Sequence, residues 1–361
     1  MKVGATTVGV QHTAKIARMA SNISELESHV FHENPVKVLV TGGAGYIGSH
    51  MVLKLQAAGH QPVILDALLH PTHSSLAPPD IPLYVFDIAD TEKLHALFRA
   101  EKFDVVMHFA ALVEVGESVL YPKKYDQNNF HNTVTLLRAM KEHGVPYFIF
   151  SSTAAIFGEP QYLPIDEAHP KNPVNPYGWS KLKCEQTLQA LDANNELKFI
   201  SLRYFNAAGA DPLLRTGFHL CDDTHLIPRL LKAARQNTTL SVYGRDYATS
   251  DGTCVRDYIH VMDLCDAHLL AMRYLIRYEK SGDYNLGNGL GFSVQAVIDT
   301  AKQVTGKNIS IQNLPRRAGD PAILLADAQR IQQELHWKPT YPKLETILQH
   351  AWAWELKTAS V

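Results

Sequence analysis

Short apolar runs alternate with segments of helical periodicity through the first half of the chain. The runs predicted as strands are 36–40, 62–65, 83–86, 103–109, 147–150 and 199–202. The segments predicted as helices are 47–58, 91–99, 128–142 and 177–191. Strands that alternate with helices form parallel β–α–β units, and near-continuous apolar strands indicate a sheet covered on both faces. The sequence therefore predicts an α/β fold with a doubly wound parallel sheet.

A glycine-rich turn joins the first predicted strand to the first predicted helix. The sequence Thr41-Gly-Gly-Ala-Gly-Tyr-Ile-Gly48 places glycines at Gly42, Gly45 and Gly48. Glycine at these positions permits a tight turn, the close approach of a pyrophosphate and the packing of the helix on the strand. The helix N-terminus adds N–H groups and the positive end of the helix dipole. Strand, loop and helix in this order predict a Rossmann-type dinucleotide site.

Two aspartates end predicted strands near this loop and favour NAD over NADP. Asp66 ends the second strand, where a carboxylate can accept a hydrogen bond from a ribose 2′-hydroxyl and would repel a 2′-phosphate. The following Ala67 and Leu68 offer no cation for such a phosphate. Asp66 as a simple turn cap is the alternative. Asp87, at the end of the third strand, is expected to receive the adenine amino group.

A phenol and an amine four residues apart form the candidate acid–base pair. Tyr177 and Lys181 follow Pro176, which suits the first turn of a helix, and their spacing places both side chains on one face. An ammonium about 5 Å from the phenol contributes roughly 3.3 kcal/mol at an effective dielectric near 20. That would lower the pKa of Tyr177 from about 10 to about 7.5. Such a phenol could remove a proton from an alcohol while hydride leaves the same carbon. An exposed helix pair without a catalytic role is the alternative.

Three hydroxyl residues follow the fifth predicted strand. Ligands of parallel α/β sheets bind beyond the carboxyl ends of the strands. We therefore expect Ser151, Ser152 and Thr153 to hydrogen-bond a reacting hydroxyl.

Together these motifs resemble the extended short-chain dehydrogenase/reductases, and among them the nucleotide-sugar 4-epimerases. Further matching segments begin at His108, Val115, Leu202, Asp251 and Arg316, so that the resemblance extends from Val36 to about Trp354. It implies interconversion of UDP-glucose and UDP-galactose through transient oxidation at C4 by a tightly held NAD. Tyr177 would deprotonate the 4-hydroxyl, and the 4-keto sugar would turn over within the site before hydride returns.

The resemblance also assigns individual residues. Lys181 would hold the nicotinamide ribose, and Thr153 stands where the family usually has the serine that contacts the sugar 4-oxygen. The expected cofactor contacts, besides the three glycines, are Tyr46, Ile47, Asp66, Asp87, Ile88, Phe109, Asn128, Tyr177, Lys181 and Phe205. The expected substrate contacts are Thr153, Asn206, Tyr243, Arg256, Arg317 and Asp320.

Substrate roles follow from the same resemblance. Arg256 and Arg317 would bind the diphosphate, Asp320 the uridine ribose and Tyr243 the uracil, while Asn206 would contact the sugar or a phosphate. Val113 departs from members that carry a lysine near the cofactor. Leu324 aligns with the position that limits room for an N-acetyl group, so that UDP-N-acetylglucosamine 4-epimerisation stays open as an alternative.

Other functions are weighed on single residues. A nucleotide-sugar 4,6-dehydratase or a decarboxylase resembles this pattern, but relatives with dehydratase activity carry acids directly after the threonine, where this chain has Ala154 and Ala155. A sugar reductase that releases its cofactor conflicts with Asp66, because such enzymes usually use NADPH. A protein that only senses NAD would not require Tyr177 and Lys181.

Charge and cysteine content exclude several other classes. With 34 basic and 36 acidic residues the net charge is −2, which disfavours a nucleic-acid partner. The four cysteines form no C-x-x-C pair, so no zinc or dithiol redox site is expected, and they are typical of reduced thiols in the cytoplasm. The 18 histidines show no metal-ligand spacing, and no apolar run is long enough for a membrane span.

Three segments are predicted along the chain. Residues 1–35 precede the first strand and are expected to be a poorly ordered extension; a targeting peptide and an upstream start with the true start at Met19 are the alternatives. Residues 36–206 are expected to form the NAD-binding domain. Residues 207–361, richer in loops, are expected to form a smaller nucleotide-sugar domain. The family resemblance further implies a homodimer, with helices near 128–142 and 177–191 at its interface.

Overall fold

The computed structural model describes residues 34–69, 77–218, 225–317 and 319–359. The predicted extension at residues 1–35 lies almost entirely outside these ranges, as does Cys221. The chain divides after Val36, and the fold below belongs to the unit Lys37–Val361. Within the described ranges, no helix combines the length and the apolar character that a bilayer span requires.

Seven parallel strands form the central sheet. They are β1 (Lys37–Thr41), β2 (Gln61–Asp66), β3 (Leu83–Val85), β4 (Val105–His108), β5 (Tyr147–Thr153), β6 (Lys198–Tyr204) and β11 (Gly282–Leu286). Their order is β11-β6-β5-β4-β1-β2-β3, and every neighbouring pair is parallel. All six predicted strands are present, and the predicted doubly wound parallel sheet is confirmed.

Helices cover both faces of this sheet. They are α1 (Tyr46–Ala57), α2 (Thr91–Glu101), α3 (Val115–Leu120), α4 (Pro122–Tyr125), α5 (Asn132–Glu142), α6 (Pro176–Ala193), α7 (Leu226–Gln236), α8 (Val261–Tyr278), α9 (Val294–Thr305), α10 (Gln329–Glu334) and α11 (Leu344–Thr358). A π-helix, Asp126–His131, precedes α5. Consecutive residues of β1, Val38 to Val40, are fully buried, as expected for a sheet covered on both faces.

The remaining strands form three small sheets. They are β7 (Asn206–Ala208), β8 (Thr239–Tyr243), β9 (Val255–Arg256), β10 (Tyr258–His260), β12 (Phe292–Ser293), β13 (Ser310–Leu314) and β14 (Ile323–Leu324). They pair as β10-β7, β12-β9-β14 and β13-β8. Helices α7, α9 and α11 enclose a second apolar core, in which Leu230, Ile298 and Ile347 are fully buried.

The predicted boundary after residue 206 does not follow the edge of the central sheet. Strand β11 comes long after that boundary and nevertheless pairs with β6. Helix α8 also follows the boundary, and it packs on α1, β5 and β6. The chain therefore returns to the sheet after forming part of the second core. The division into two domains stays a prediction.

Candidate active site

A cavity of about 500 Å³ opens at the carboxyl ends of the central strands. It lies where the strand order reverses, because the chain runs from β1 outward to β3 on one side and from β4 outward to β6 on the other. This reversal is where ligands bind in open parallel sheets. Residues from the ends of β2, β5 and β6, namely Asp66, Thr153 and Tyr204, line the same cavity.

The glycine-rich loop forms one wall of the cavity as predicted. Gly42 has a positive φ of 69°, and a Cβ there would lie 2.6 Å from the backbone nitrogen of Ala110. A Cβ on Gly48 would lie 2.1 Å from Gly42 O, so glycine is required for the packing of α1 against the loop. A Cβ on Gly45 would meet only Gly42 O, at 3.2 Å, and Gly45 lines the cavity. The loop is therefore closely packed against backbone atoms at Gly42 and Gly48, and it leaves free space in the cavity at Gly45.

Asp66 ends β2 as predicted, and its carboxylate also caps the following turn, which was the alternative role. Its carboxylate accepts hydrogen bonds from Ala44 N at 3.0 Å and Leu68 N at 2.8 Å. These bonds tie the end of β2 to the glycine-rich loop. The residue also lines the cavity, as does Asp87, whose carboxylate accepts from Ala89 N at 2.8 Å.

A buried histidine fixes the ends of β1 and β4 beside this loop. Thr133 Oγ1 donates to Asn129 O at 2.6 Å, so it accepts from His108 Nε2 at 2.9 Å. The neutral ring then accepts at Nδ1 from Thr41 Oγ1, which lies 2.7 Å away. Burial lowers the pKa of His108 to about 3, and the charge of Lys181 acts in the same direction. His108 thus stays neutral and holds both strands.

Tyr177, Lys181 and Thr153 meet at the end of β5. Asn175 caps α6 by accepting from Gly178 N at 2.8 Å, and Tyr177 begins the face that enters the cavity. The hydroxyl of Thr153 lies beside the phenol of Tyr177 and acts to lower its pKa. The ammonium of Lys181 donates to Ser151 O at 2.9 Å and lies 4.8 Å from the Phe150 ring centre. The predicted cluster therefore assembles in space.

The predicted fall in the pKa of Tyr177 is wrong for the protein alone. Burial raises the pKa of Tyr177 to about 12, and the hydrogen bond from Thr153 opposes only part of this rise. The ammonium of Lys181 is engaged by Ser151 O rather than by the phenol. Burial also lowers the pKa of Lys181 to about 8, against the influence of Cys184 and Glu185. The charge of Lys181 alone would lower the pKa of Tyr177, but burial of both groups disfavours their charged forms and outweighs this effect.

Of the three hydroxyl residues of β5, Ser151 and Thr153 line the cavity and Ser152 does not. Thr153 faces the cavity as predicted. Ser151 Oγ forms a hydrogen bond with the hydroxyl of Tyr204. Ser152 lies on the opposite face and donates to Glu185 Oε1 at 2.6 Å, so its predicted contact with a reacting hydroxyl is wrong. Alternation along a strand explains the difference, because neighbouring side chains leave on opposite faces.

The other predicted cofactor contacts lie around the cavity. Besides the residues already described, these are Tyr46, Ile47, Ile88, Phe109, Asn128 and Phe205. Tyr46 also donates through its hydroxyl to Gly209 O at 2.8 Å, which joins α1 to the chain after β7. Val113, which stands where some family members carry a lysine, lines the cavity as well.

The predicted substrate contacts fall into two groups. Asn206, Arg256, Asp320 and the N-acetyl position Leu324 line the cavity. Arg256 Nη2 donates to Asp320 Oδ1 at 2.5 Å, so these two residues form an ion pair at the cavity wall.

Tyr243 and Arg317 are not among the residues that line the cavity. The Arg317 guanidinium lies 4.0 Å from the centre of the Tyr243 ring, and its hydrogen bond lowers the pKa of Tyr243. Their contact with a substrate stays a prediction.

Several cavity residues were not found from the sequence. Tyr204 brings a second phenol beside Ser151, and its place at the end of β6, directly opposite Thr153 in the sheet, is the signal that could have found it. Phe218 and His225 also line the cavity, but they lie in loops without a recognisable motif.

The residues around the cavity fit a dinucleotide. The space in front of Gly45 would be filled by a Cβ and can admit a pyrophosphate instead. The first N–H groups of α1, from Tyr46 onward, have no acceptor within their own helix, and Tyr46, Ile47 and Gly48 line the cavity. Asp66 supplies the carboxylate that a ribose requires.

The family model described as "NAD dependent epimerase/dehydratase family" matches residues 38–287, and the chain belongs to this family. UDP-glucose 4-epimerase of Halalkalibacterium halodurans is 48% identical over 318 residues, which are 88% of this chain and 95% of that protein. A crystal structure of UDP-glucose 4-epimerase matches with a TM-score of 0.87 at 42% identity, covering 90% of this chain and 98% of the other. UDP-glucose 4-epimerase from Stenotrophomonas maltophila, with bound NAD and formylated UDP-arabinopyranose, matches with a TM-score of 0.86 at 37% identity and covers 90% and 99%.

Proposed function

We propose that the chain interconverts UDP-glucose and UDP-galactose by transient oxidation of the sugar at C4. The observation that carries this proposal is that Tyr177, Lys181 and Thr153 line the same cavity as the glycine-rich loop. The name UDP-glucose 4-epimerase belongs to relatives that match over nearly their whole length. The enzyme is an isomerase, and its cofactor is NAD.

The glycine-rich loop, Asp66 and Asp87 would hold the adenosine and pyrophosphate portions of NAD. When bound in this space, NAD would supply a reversible hydride acceptor for C4 of the sugar. Lys181 donates a hydrogen bond toward the end of β5 and is placed to hold a ribose hydroxyl there. Phe109 and Phe205 give this part of the cavity apolar walls that exclude water.

Tyr177 moves the proton. Its phenolate oxygen accepts the proton of the sugar 4-hydroxyl as C4 is oxidised, and donates it back to the 4-oxygen after the keto sugar has turned its other face. The hydroxyl of Thr153, which lies beside the phenol, would hold the sugar oxygen in line with it. Since burial raises the pKa of Tyr177 to about 12, the phenolate requires nearby positive charge, which Lys181 and the oxidised nicotinamide would supply.

The diphosphate of the substrate would bind at Arg256 and Arg317, because guanidinium groups form paired hydrogen bonds with phosphate oxygens. Arg256 now bonds Asp320, so binding would exchange this ion pair for contacts to the diphosphate and the uridine ribose. Asn206 also lines the cavity and would contact the sugar or a phosphate. Tyr243 would pack on the uracil.

A 4,6-dehydratase is not favoured. The side chains that follow Thr153 are Ala154 and Ala155, and both line the cavity. Elimination at C5 and C6 requires an acid and a base there, and alanine supplies neither. UDP-N-acetylglucosamine 4-epimerisation, the other alternative, is likewise not favoured.

The assay is conversion of UDP-galactose by the purified protein, followed by separation of the nucleotide sugars. The proposal predicts UDP-glucose as the product, with an equilibrium reached from either sugar. Formation of a 4-keto-6-deoxy sugar would replace the proposal by a dehydratase, and absence of any turnover with NAD supplied would refute it.

We further propose that the chain forms a homodimer through the surface around α3 and α6, which contact each other. Leu120 and Tyr121 are 73% and 59% exposed at the end of α3, and Trp179 on α6 is 46% exposed. Large apolar side chains grouped on one surface are typical of interfaces. Light scattering during gel filtration would measure the mass, and Leu120→Lys should shift a dimer to monomer. A monomeric wild-type protein at micromolar concentration would refute the proposal.

A cytoplasmic location is also proposed. Among the described residues, Cys184, Cys254 and Cys265 are buried and form no disulfide, which is typical of a reducing compartment. Fractionation of the source cells followed by immunodetection would test this location, and recovery with secreted material would contradict it.

A further inference from the structure

A buried carboxylate follows the catalytic pair on the same face of α6. Glu185 comes one helical turn after Lys181 and two turns after Tyr177, on the same face of α6. Its side chain is fully buried. Such a carboxylate is costly unless each oxygen is bonded, so its partners decide what it does.

Both oxygens of Glu185 are bonded by groups from the central sheet. Arg203 Nε donates to Oε1 at 2.8 Å, and Arg203 Nη2 donates to Oε2 at 2.7 Å, which makes a paired arrangement. Ser152 Oγ donates to Oε1 at 2.6 Å. Arg203 Nη2 also reaches Asp283 Oδ2 on β11 at 2.7 Å, and Lys171 lies 3.7 Å from Glu185 Oε2. Glu185 therefore joins α6 to β5 and β6, and Arg203 extends the network to Asp283 on β11.

The strand residues that Glu185 bonds are sequence neighbours of the residues that shape the site. Ser152 stands between Ser151, whose carbonyl accepts from Lys181, and Thr153, whose hydroxyl lies beside the phenol of Tyr177. Arg203 is directly opposite Ser152 in the sheet and precedes Tyr204, whose hydroxyl bonds Ser151. A shift of α6 along β5 would therefore move the Lys181 and Tyr177 contacts together.

The groups that act on the charge of Lys181 are few. On its own helix, Cys184 and Glu185 favour the ammonium. On β4, His108 stays neutral, because burial and the charge of Lys181 both lower its pKa. On β5 the contacts are Ser151 O and the ring of Phe150. Glu185 is the carboxylate among these groups.

We propose that Glu185 is a positioning residue for the reaction: through Ser152 and Arg203 it sets α6 against the end of β5, and its charge keeps Lys181 in the ammonium form. The proposal deepens the proposed epimerase function and rests on it.

Stability alone does not account for this arrangement. A buried ion pair contributes little more than well-packed apolar residues would, because both charges lose their hydration. Arg203 Nη1 is, moreover, buried without a hydrogen-bond partner among the described residues. An apolar pair would avoid that loss but could neither accept from Ser152 nor favour a charge on Lys181.

The test compares Glu185→Gln with the wild-type protein. Glutamine keeps the shape and removes the charge. We expect kcat at neutral pH to fall about 10-fold or more, with KM for UDP-galactose within about 2-fold and bound NAD retained. The alkaline limb of the kcat profile should move down by about one pH unit, because the ammonium loses its carboxylate. Leu188→Val is the matched control: it loosens a fully buried apolar contact of α6 without changing charge, and should keep the wild-type pH profile.

Two further measurements keep the test decisive. If Glu185→Gln fails to fold, the double variant Glu185→Leu with Arg203→Met replaces the ion pair by apolar groups. This variant should fold, and the alkaline limb of its kcat profile should show the same downward shift. Asp283 remains 4.0 Å from Lys171 and can still pair with it. Titration of the Lys181 side chain by NMR, in protein carrying ¹⁵N-lysine and assigned with Lys181→Arg, reports the same shift without turnover. A wild-type protein that does not epimerise would refute the proposed function, and this titration would still decide the role of Glu185. A kcat within about 2-fold of wild type, or an unmoved Lys181 titration, would overturn the proposal.

Discussion

Alanine at Gly45 and alanine at Gly48 should damage the protein in different ways. A Cβ on Gly48 would lie 2.1 Å from Gly42 O and 2.7 Å from Gly43 Cα, and both are backbone atoms that cannot move aside separately. A Cβ on Gly45 would meet Gly42 O alone, at 3.2 Å, and the backbone there is extended with φ of −81°. The methyl group of Gly48→Ala would therefore clash with backbone atoms, whereas the methyl group of Gly45→Ala would project into the space for a pyrophosphate.

The magnitudes follow from this geometry. Overpacking by a methyl group costs about 1–3 kcal/mol, so Gly48→Ala should lower Tm by roughly 2–6 °C. Gly45→Ala should change the free energy of unfolding by about 0.5 kcal/mol or less, and yet lose most of its NAD. Gly116→Ala on α3, where a Cβ would meet nothing within 4 Å, is the matched control and should be neutral or slightly stabilising.

Calorimetry of the proteins after removal of the dinucleotide gives the Tm values without the stabilisation that a bound ligand adds. Chromatography of the nucleotide released on denaturation gives the NAD content as purified. A Gly45→Ala protein with one NAD per chain would refute the placement of the pyrophosphate, and a Gly48→Ala protein as stable as wild type would refute the packing argument.

Three further predictions concern the catalytic end. Tyr177→Phe should lower kcat about 10²-fold or more while leaving Tm nearly unchanged, because the phenol oxygen transfers the proton and contributes little to packing; near-wild-type turnover would exclude that role. The kcat should decline above about pH 8 as Lys181, whose pKa burial lowers to about 8, loses its proton, and Lys181→Arg should move that decline upward; a flat profile to pH 10 would contradict a need for the charge. Leu324→Ala should raise the rate with UDP-N-acetylgalactosamine relative to UDP-galactose, because Leu324 lines the cavity; an unchanged ratio would place the N-acetyl group elsewhere.

Local patterns predicted the part of the site that depends on neighbouring residues. The strand, glycine-rich loop and α1 follow one another, so their geometry is set within a short stretch of chain. The same holds for Tyr177 and Lys181, which one helix places on one face. Parallel strands then bring these stretches to a common edge, so the cavity could be anticipated without any contact being known.

Features that depend on distant contacts could not be predicted in this way. Strand β11 completes the sheet from a segment that looked loop-rich, because its pairing with β6 joins residues far apart in sequence. Ser152 donates to Glu185, which is 33 residues later in the chain; strand alternation accounts for the face that Ser152 takes, but its partner depends on how α6 packs on β5. The pKa of Tyr177 rose rather than fell, because burial of the phenol depends on the whole cavity.

The most direct test of the account is the fate of a label at C4. Purified protein, with no NAD added, would be incubated with UDP-galactose carrying deuterium at C4, and the product would be examined by NMR and mass spectrometry. The account predicts UDP-glucose that retains the deuterium at C4, because the hydride leaves and returns to the same carbon. Loss of the deuterium to water, or its recovery at another carbon, would contradict it.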